Sequence, residues 1–338
     1  MAGRWKIGLT VVMSALAFAP HSLLAADVTL QGKTVTLYVG GSVGGGVDAY
    51  ARTLAPFLSK YLPGTPTIVP SNMPGGGGVG AVQYVYNVGA KDGTAVGAAN
   101  PSSITEPLLG TVQVKYDLQK FRWIGSLYQG NTVCVVWHES PIQSLEDARA
   151  RETTLAAVSV GSASAQFPRL MNSLIHTKFK PVLGYPTGAT TLAIERREVD
   201  GTCGSLGTFR TSSPHLLREK KLRLLVQASF TADPEYPEGP RAVDLIKTDD
   251  ERKMLEFFGL PYELQNAYML PPGTPDNVLA AYRKAFDAAL LDADYRAEAK
   301  KRNQEIEPHS GAEVTALIQK LLDTPEDIVK RAISAISR

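Results

Sequence analysis

The sequence predicts an α/β protein in which parallel sheets are covered by helices and the chain divides into two domains. Short β-like runs alternate with amphipathic stretches throughout, the pattern of strands joined through crossover helices. A chain of 338 residues exceeds what one hydrophobic core ordinarily organises. Several of the strands run directly into loops rich in glycine or serine, where parallel sheets place their ligand sites.

The strand-like runs are Thr34–Val39, Thr67–Val69, Ala95–Ala99, Val133–Trp137, Leu155–Val160, Val199–Cys203 and Leu222–Gln227. Between the first two, Asp48–Leu62 carries Ala51, Leu54, Leu58, Tyr61 and Leu62 on one helical face, and Pro56 predicts a kink or a broken first half. Toward the C-terminus, Thr274-Pro275 reads as a cap followed by proline at the first helical position. Ser310 with Glu313 fits a capping box, and Thr324-Pro325 starts the last helix. A boundary near 128–140 and a proline-rich return near 230–270 predict an inserted second domain. The resulting division is a signal segment over 1–25, a first domain from 26–130 and 236–338, and a second from 131–235.

Residues 1–25 read as a secretory signal: Arg4 and Lys6, an apolar run from Ile7 to Ala19, Pro20, then a small residue at Ala25. The run is 13 residues long, short of the roughly 20 that a spanning helix needs. Removing the segment takes away Arg4 and Lys6 and no acid, which brings the formal charge from +2 to zero. A neutral chain without clustered lysine and arginine does not fit a nucleic-acid or anionic-membrane surface, so local geometry must hold any bound anion. Metal-ligand spacings are absent, no cofactor is expected, and the protein is expected to act as a monomer. Cys134 and Cys203 are either a disulfide or two separate buried thiols, since sequence does not supply the Cα spacing.

The loop Gly40-Gly41-Ser42-Val43-Gly44-Gly45-Gly46 admits three chemistries. Gly40-x-Ser42-x-Gly44 spells a nucleophile elbow, but it follows the first strand, where that fold has several strands before its serine. Gly44-x-Gly46-x-x-Ala49 is a variant dinucleotide fingerprint, yet the next strand runs into Pro70-Ser71-Asn72 without the acid that holds a ribose. The third is an anion cradle, in which glycines admit the ligand to the backbone and the N–H groups of the following helix face it. Asp48 suits that helix's N-cap, with Arg52 placed for an i,i+4 pair. Asn100-Pro101-Ser102-Ser103 and Gly161-Ser162-Ala163-Ser164 repeat the donor-rich arrangement after later strands.

These residues resemble a known family. Gly44-Gly45-Gly46-Val47-Asp48-Ala49-Tyr50-Ala51-Arg52 is similar to the GGGxDxxAR motif of extracytoplasmic solute receptors of the tripartite tricarboxylate transporter, the TctC/Bug type. Asn72-Met73-Pro74-Gly75-Gly76-Gly77-Gly78-Val79-Gly80 resembles its NxPGAGGxxG block, and Asp92-Gly93-Thr94 its DGxT. Tyr185-Pro186-Thr187-Gly188, Glu198-Val199-Asp200-Gly201 and Ala267–Leu270 with Pro271-Pro272-Gly273-Thr274-Pro275 follow in family order. The resemblance implies a two-lobed, periplasmic-binding-protein-like (type II) fold with a hinge. It further implies a periplasmic receptor that is not an enzyme, and that captures a small carboxylate and delivers it to large and small membrane transporter subunits. It places the ligand between Ser42, Val43, Gly44, Gly45, Gly46 and Asp48 on one lobe and Ser162 and Ser164 on the other. Asn100, Ser103, Tyr185, Thr187, Cys203 and Ser205 become cleft-wall positions. Gly40-Gly41 stands where relatives carry an aromatic, and Ser162-Ala163-Ser164-Ala165 where they carry more glycines, so the identity of the carboxylate is left open. An exported hydrolase using Ser42 and a ligand-sensing interaction protein are the alternative functions.

The exported chain is expected to begin at Ala26 or Asp27. N-terminal mass spectrometry that finds residues 1–25 intact on the exported protein would overturn the signal reading.

Overall fold

The computed structural model describes Gly3 and residues 28–110, 113–228, 233, 235–237 and 239–337. The signal segment apart from Gly3, the expected first residues Ala26 and Asp27, and 229–232, 234 and 238 of the expected return crossing lie outside the described residues.

Among the described residues, eleven strands form two sheets. They are β1 (Thr34–Val39), β2 (Thr67–Asn72), β3 (Ala95–Ala99), β4 (Arg122–Tyr128), β5 (Thr132–Trp137), β6 (Thr153–Ala157), β7 (Phe179–Leu183), β8 (Gly201–Ser205), β9 (Leu222–Gln227), β10 (Gln265–Leu270) and β11 (His309–Ser310). The six-stranded sheet runs β11-β4-β10-β3-β1-β2, parallel from β3 through β1 to β2 and antiparallel elsewhere. The five-stranded sheet runs β7-β6-β8-β5-β9, with β6, β7 and β8 parallel and β5 antiparallel to both neighbours. The chain leaves the first sheet after β4, enters the second at β5, and comes back to the first at β10.

Alternation along β1 explains its place. Val35, Leu37 and Val39 are fully buried against Tyr50, Leu54 and Leu58 of the helix Gly46–Tyr61 and against Tyr282 and Phe286 of the helix Asp276–Leu291. In β3 every residue is buried, as befits a strand covered on both faces. On the second sheet, Leu155, Phe167, Leu170 and Leu174 pack into a core that also holds Phe257 and Phe258 of the helix Asp249–Gly259 and Ile328 and Ala332 of the helix Glu326–Ile336. The last helix, within the stretch read from sequence as the first domain, therefore also covers the five-stranded unit.

Three local expectations are adjusted. The helix Gly46–Tyr61 runs unbroken past Pro56, whose exposed side of the helix leaves the unbonded carbonyl to water. Pro275 and Pro325 are N-caps and not first helical residues, so each helix starts one position later than expected. Ser310 and Glu313 do form the capping box. No described helix is long and apolar enough to cross a membrane.

The cysteine question is decided by register. β5 and β8 are antiparallel neighbours with Cys134 directly opposite Cys203, and the two are joined as a disulfide with Cα atoms 4.0 Å apart. The bond closes a loop 69 residues long, which restricts the unfolded chain. Replacing both cysteines with alanine is expected to lower the unfolding free energy by ~2–4 kcal/mol. A denaturant titration with an unchanged midpoint would show that the cross-link contributes nothing.

Candidate functional site

The carboxyl ends of β1, β3, β6 and β8 open on one cavity of about 470 Å³ between the two sheets. Its walls come from Gly40 to Val47 except Val43, from Pro74 to Gly78, from Asn100 to Ser102, and from Val158, Ser159 and Ser162 to Ser164 in the opposite unit. Cys203 to Ser205, Thr208, Phe209, Tyr128, Tyr262, Gln265 and Asn266 also line it, with further residues between Gly188 and Ser213. Among the described residues, none of the lining carries a charged side chain.

Helix starts supply the missing positive potential. The helices Gly46–Tyr61, Pro101–Leu109 and Ala163–Ile175 all begin at this cavity, capped by Gly45, Asn100 and Ser162. First-turn N–H groups have no partner within their own helix, and the aligned peptide dipoles make each start partly positive. Three such ends from both units face one space, a setting for an anion that needs no lysine or arginine.

The first loop is held by a chain of polar contacts. Asp48, 2% exposed, sits in the first helical turn and not at the N-cap, because the glycines allow the helix to start two residues earlier. Its carboxylate accepts from the Gly44 N–H at 2.8 Å and from Arg52 Nε at 2.9 Å. Arg52 also donates to Asn72 Oδ1 at 2.9 Å, and Asn72 Nδ2 donates to the Gly41 carbonyl at 3.0 Å. Burial alone would raise the Asp48 carboxyl, but the bonds from Arg52 and Gly44 outweigh it and leave the group below its ordinary value.

Asn100 ties three segments together. Its Nδ2 donates to the Gly40 carbonyl at 2.9 Å, and its Oδ1 accepts the Ser103 N–H at 3.0 Å as a helix cap. Gly78 has φ +91°, and a Cβ there would lie 2.5 Å from Asn100 Nδ2 and 2.7 Å from the Gly40 carbonyl oxygen. Only glycine lets the 74–78 segment close against the first loop.

In the opposite unit the serines brace the loop more than they present donors. Ser162 Oγ donates to the Ser159 carbonyl at 2.7 Å, and Ser164 Oγ accepts the Val158 N–H at 3.1 Å. The two hydroxyls are 2.9 Å apart. Both hydroxyls are thus spent within the turn itself.

Of the residues singled out from sequence, Ser42, Gly44, Gly45, Gly46, Asn100, Ser162, Ser164, Cys203 and Ser205 line the cavity. Val43 is 75% exposed outside it. Asp48 lies behind the loop, and Ser103 is buried beneath the Asn100 cap. Tyr185 packs against the core of the five-stranded unit, while Thr187 begins a short 3₁₀ turn. Sequence reasoning missed Tyr128, Thr208, Tyr262, Gln265 and Asn266 as wall residues. No spacing signal links them, since they come from β4, β10 and two short helices far apart in the chain. The 74–78 glycines were visible as a motif but were not assigned to the wall.

The two units touch around the cavity. Tyr128 OH and Ser205 Oγ are 3.2 Å apart across the two units, and within the first unit Tyr128 stacks on Tyr50 with ring centroids 4.8 Å apart. Phe167 meets Tyr262 edge-on at 5.0 Å. At the rim Arg210 bonds Asp233 at 2.7 Å and pairs with Glu305, whose N–H donates to Tyr50 OH at 2.9 Å.

The lowered pKa of Asp48 predicts a pH dependence. A folded value below the unfolded one means that its stabilising contribution is complete above the unfolded carboxylate pKa and is lost as pH falls through the folded value. Asp48→Asn is therefore expected to be less stable than wild type at pH 7, with the gap shrinking under acid conditions. Thermal melts in which the gap stays constant down to about pH 3, below the ordinary carboxylate pKa, would contradict the role given to Asp48.

No protein-family model matches the chain. A UPF0065 protein of Bordetella bronchiseptica is 24% identical over 288 residues, covering 84% of this chain and 81% of that protein. MatC from Rhodopseudomonas palustris, with bound malate, superposes with a TM-score of 0.69 at 23% identity over 88% of this chain and 98% of its own. The periplasmic binding protein BugD gives a TM-score of 0.67 at 20% identity, covering 88% and 97%. A second R. palustris protein, with adipate, gives 0.69 at 20% identity and the same coverage of 88% and 97%. The chain thus has the two-lobed, type II fold of periplasmic binding proteins, and its structural neighbours are members of the TctC/Bug family.

Proposed function

We propose that the protein is a periplasmic receptor of the TctC/Bug type that closes over a small carboxylate and passes it to a membrane transporter. The observation that carries this reading is a cavity between the lobes with helix starts from both sides and no charged side chain in its lining. Backbone N–H groups at helix starts stabilise a carboxylate without the desolvation cost of a buried lysine. Structural neighbours holding malate and adipate support a carboxylate ligand of similar size. The proposed lobes are 26–130 with 236–338 and 131–235, the signal segment directs the chain to the periplasm, and large and small membrane subunits are the proposed partners.

The proposed ligand contacts are the Ser42–Gly46 loop, the first-turn N–H groups behind it, and the backbone at Ser162 to Ser164. Asp48, Asn100 and Ser103 act by holding those loops in shape. An exported hydrolase is the weaker reading, because no histidine, lysine or acid lines the cavity beside Ser42 to activate it.

A thermal-shift screen of the exported chain against mono-, di- and tricarboxylates is expected to reveal ligands that raise the melting temperature, since a ligand that binds only the folded state stabilises it. Gly46 supplies the sharper test. A Cβ there would lie 3.0 Å from Thr208 Oγ1 across the cleft. Gly46→Val is expected to hold the lobes apart and to weaken binding by about tenfold or more, the loss of one hydrogen bond to a charged group. Ser164→Ala, which only loosens the opposite loop, should cost less. Calorimetry that finds Gly46→Val as tight as wild type would refute closure over the ligand at this point.

A further inference from the structure

Asn266 is unusual in several respects. It lies in β10 beside the ladder positions Gln265 and Ala267, yet its φ is +55°, the left-handed region that a strand residue avoids. It is 2% exposed, it lines the cavity, and its Oδ1 has no hydrogen-bond partner. A strained backbone and an unsatisfied buried amide are each costly, and they tend to persist where a ligand completes the contact.

We propose that Asn266 is a specificity-determining residue whose carboxamide takes a hydroxyl group on the ligand, so that the site selects hydroxycarboxylates over the same acids without the hydroxyl. This rests on the carboxylate-receptor reading above and adds the chemistry of the rest of the ligand. The helix starts account for an anionic end, but nothing charged remains in the lining for the remainder. Gln265 and Tyr262, which line the same cavity, are both neutral and polar. Amide oxygen and nitrogen are interchanged by rotation about the last side-chain bond, so the carboxamide offers an acceptor in one orientation and a donor in the other. A hydroxyl can satisfy either, whereas a methylene satisfies neither and leaves the buried amide unpaired. Sites built around such a polar partner discriminate strongly against the analogue that lacks it.

The test uses matched pairs, malate with succinate and 3-hydroxybutyrate with butyrate, titrated by calorimetry into wild type and Asn266→Gly. Glycine suits the left-handed backbone, so this variant removes the amide without threatening the fold. Wild type is expected to prefer the hydroxylated member of a pair that binds by about tenfold. Asn266→Gly is expected to lose that preference while keeping its affinity for the unsubstituted acid. A preference that survives in Asn266→Gly, or wild type binding both members equally, overturns the assignment and leaves the receptor reading intact. No binding by any of the four acids also overturns it. If the wider carboxylate screen is silent as well, the receptor reading falls with it.

Discussion

The site depends on backbone running against backbone with no side chain between, and on Asn100 to hold it there. Its carboxamide bonds the Gly40 carbonyl and the Ser103 N–H, which fastens the end of β1 to the start of the helix Pro101–Leu109. Gly78 packs into the same junction at a distance that excludes a Cβ. A part-buried amide satisfied on both edges fixes geometry, because movement costs it its hydrogen bonds. The Asp48–Arg52–Asn72 chain performs the same task one turn further along, with Asn72 reaching the Gly41 carbonyl. Together these side chains shape the loops so that the helix starts face inward.

This division of labour explains the electrostatics. The charged residue nearest the first loop, Asp48, is negative and buried, which would repel a carboxylate if it were unpaired. It spends its charge on Arg52 and on the Gly44 N–H, so the loop is stiffened and the acid's field is largely compensated. The remaining first-turn N–H groups keep their partial positive charge. They act at close range in a cavity walled by hydroxyls, amides and aromatic rings, where dipoles are screened less than at an open surface. Such a cavity suits an anion held by geometry and not by a charged side chain.

Contact between the two units combines the packing of the helix Glu326–Ile336 on the five-stranded unit with a few polar and aromatic pairs. The Tyr128–Ser205 bond, the Phe167–Tyr262 edge contact and the Arg210–Glu305 pair each join elements of the two units. Each is individually small.

The sequence by itself determined the α/β class, the alternation that buries Val35, Leu37 and Val39, the glycine loops after β1 and β2, and the capping box at Ser310 and Glu313. These are legible because their causes are local: side-chain period, the φ that glycine permits, and caps satisfied within three residues. Tertiary structure decided the rest. Cys134 and Cys203 bond because β5 and β8 are antiparallel neighbours in a register that sets them opposite each other, a relation that spans 69 residues. Asp48 moved from cap to brace because the helix began at Gly46, and the hydroxyls of Ser162 and Ser164 turned inward because their own loop needed them. Tyr128, Thr208, Gln265 and Asn266 reached the cavity through strand order and lobe contact. Those follow from how separate elements pack, and no residue's immediate neighbours in the chain encode them.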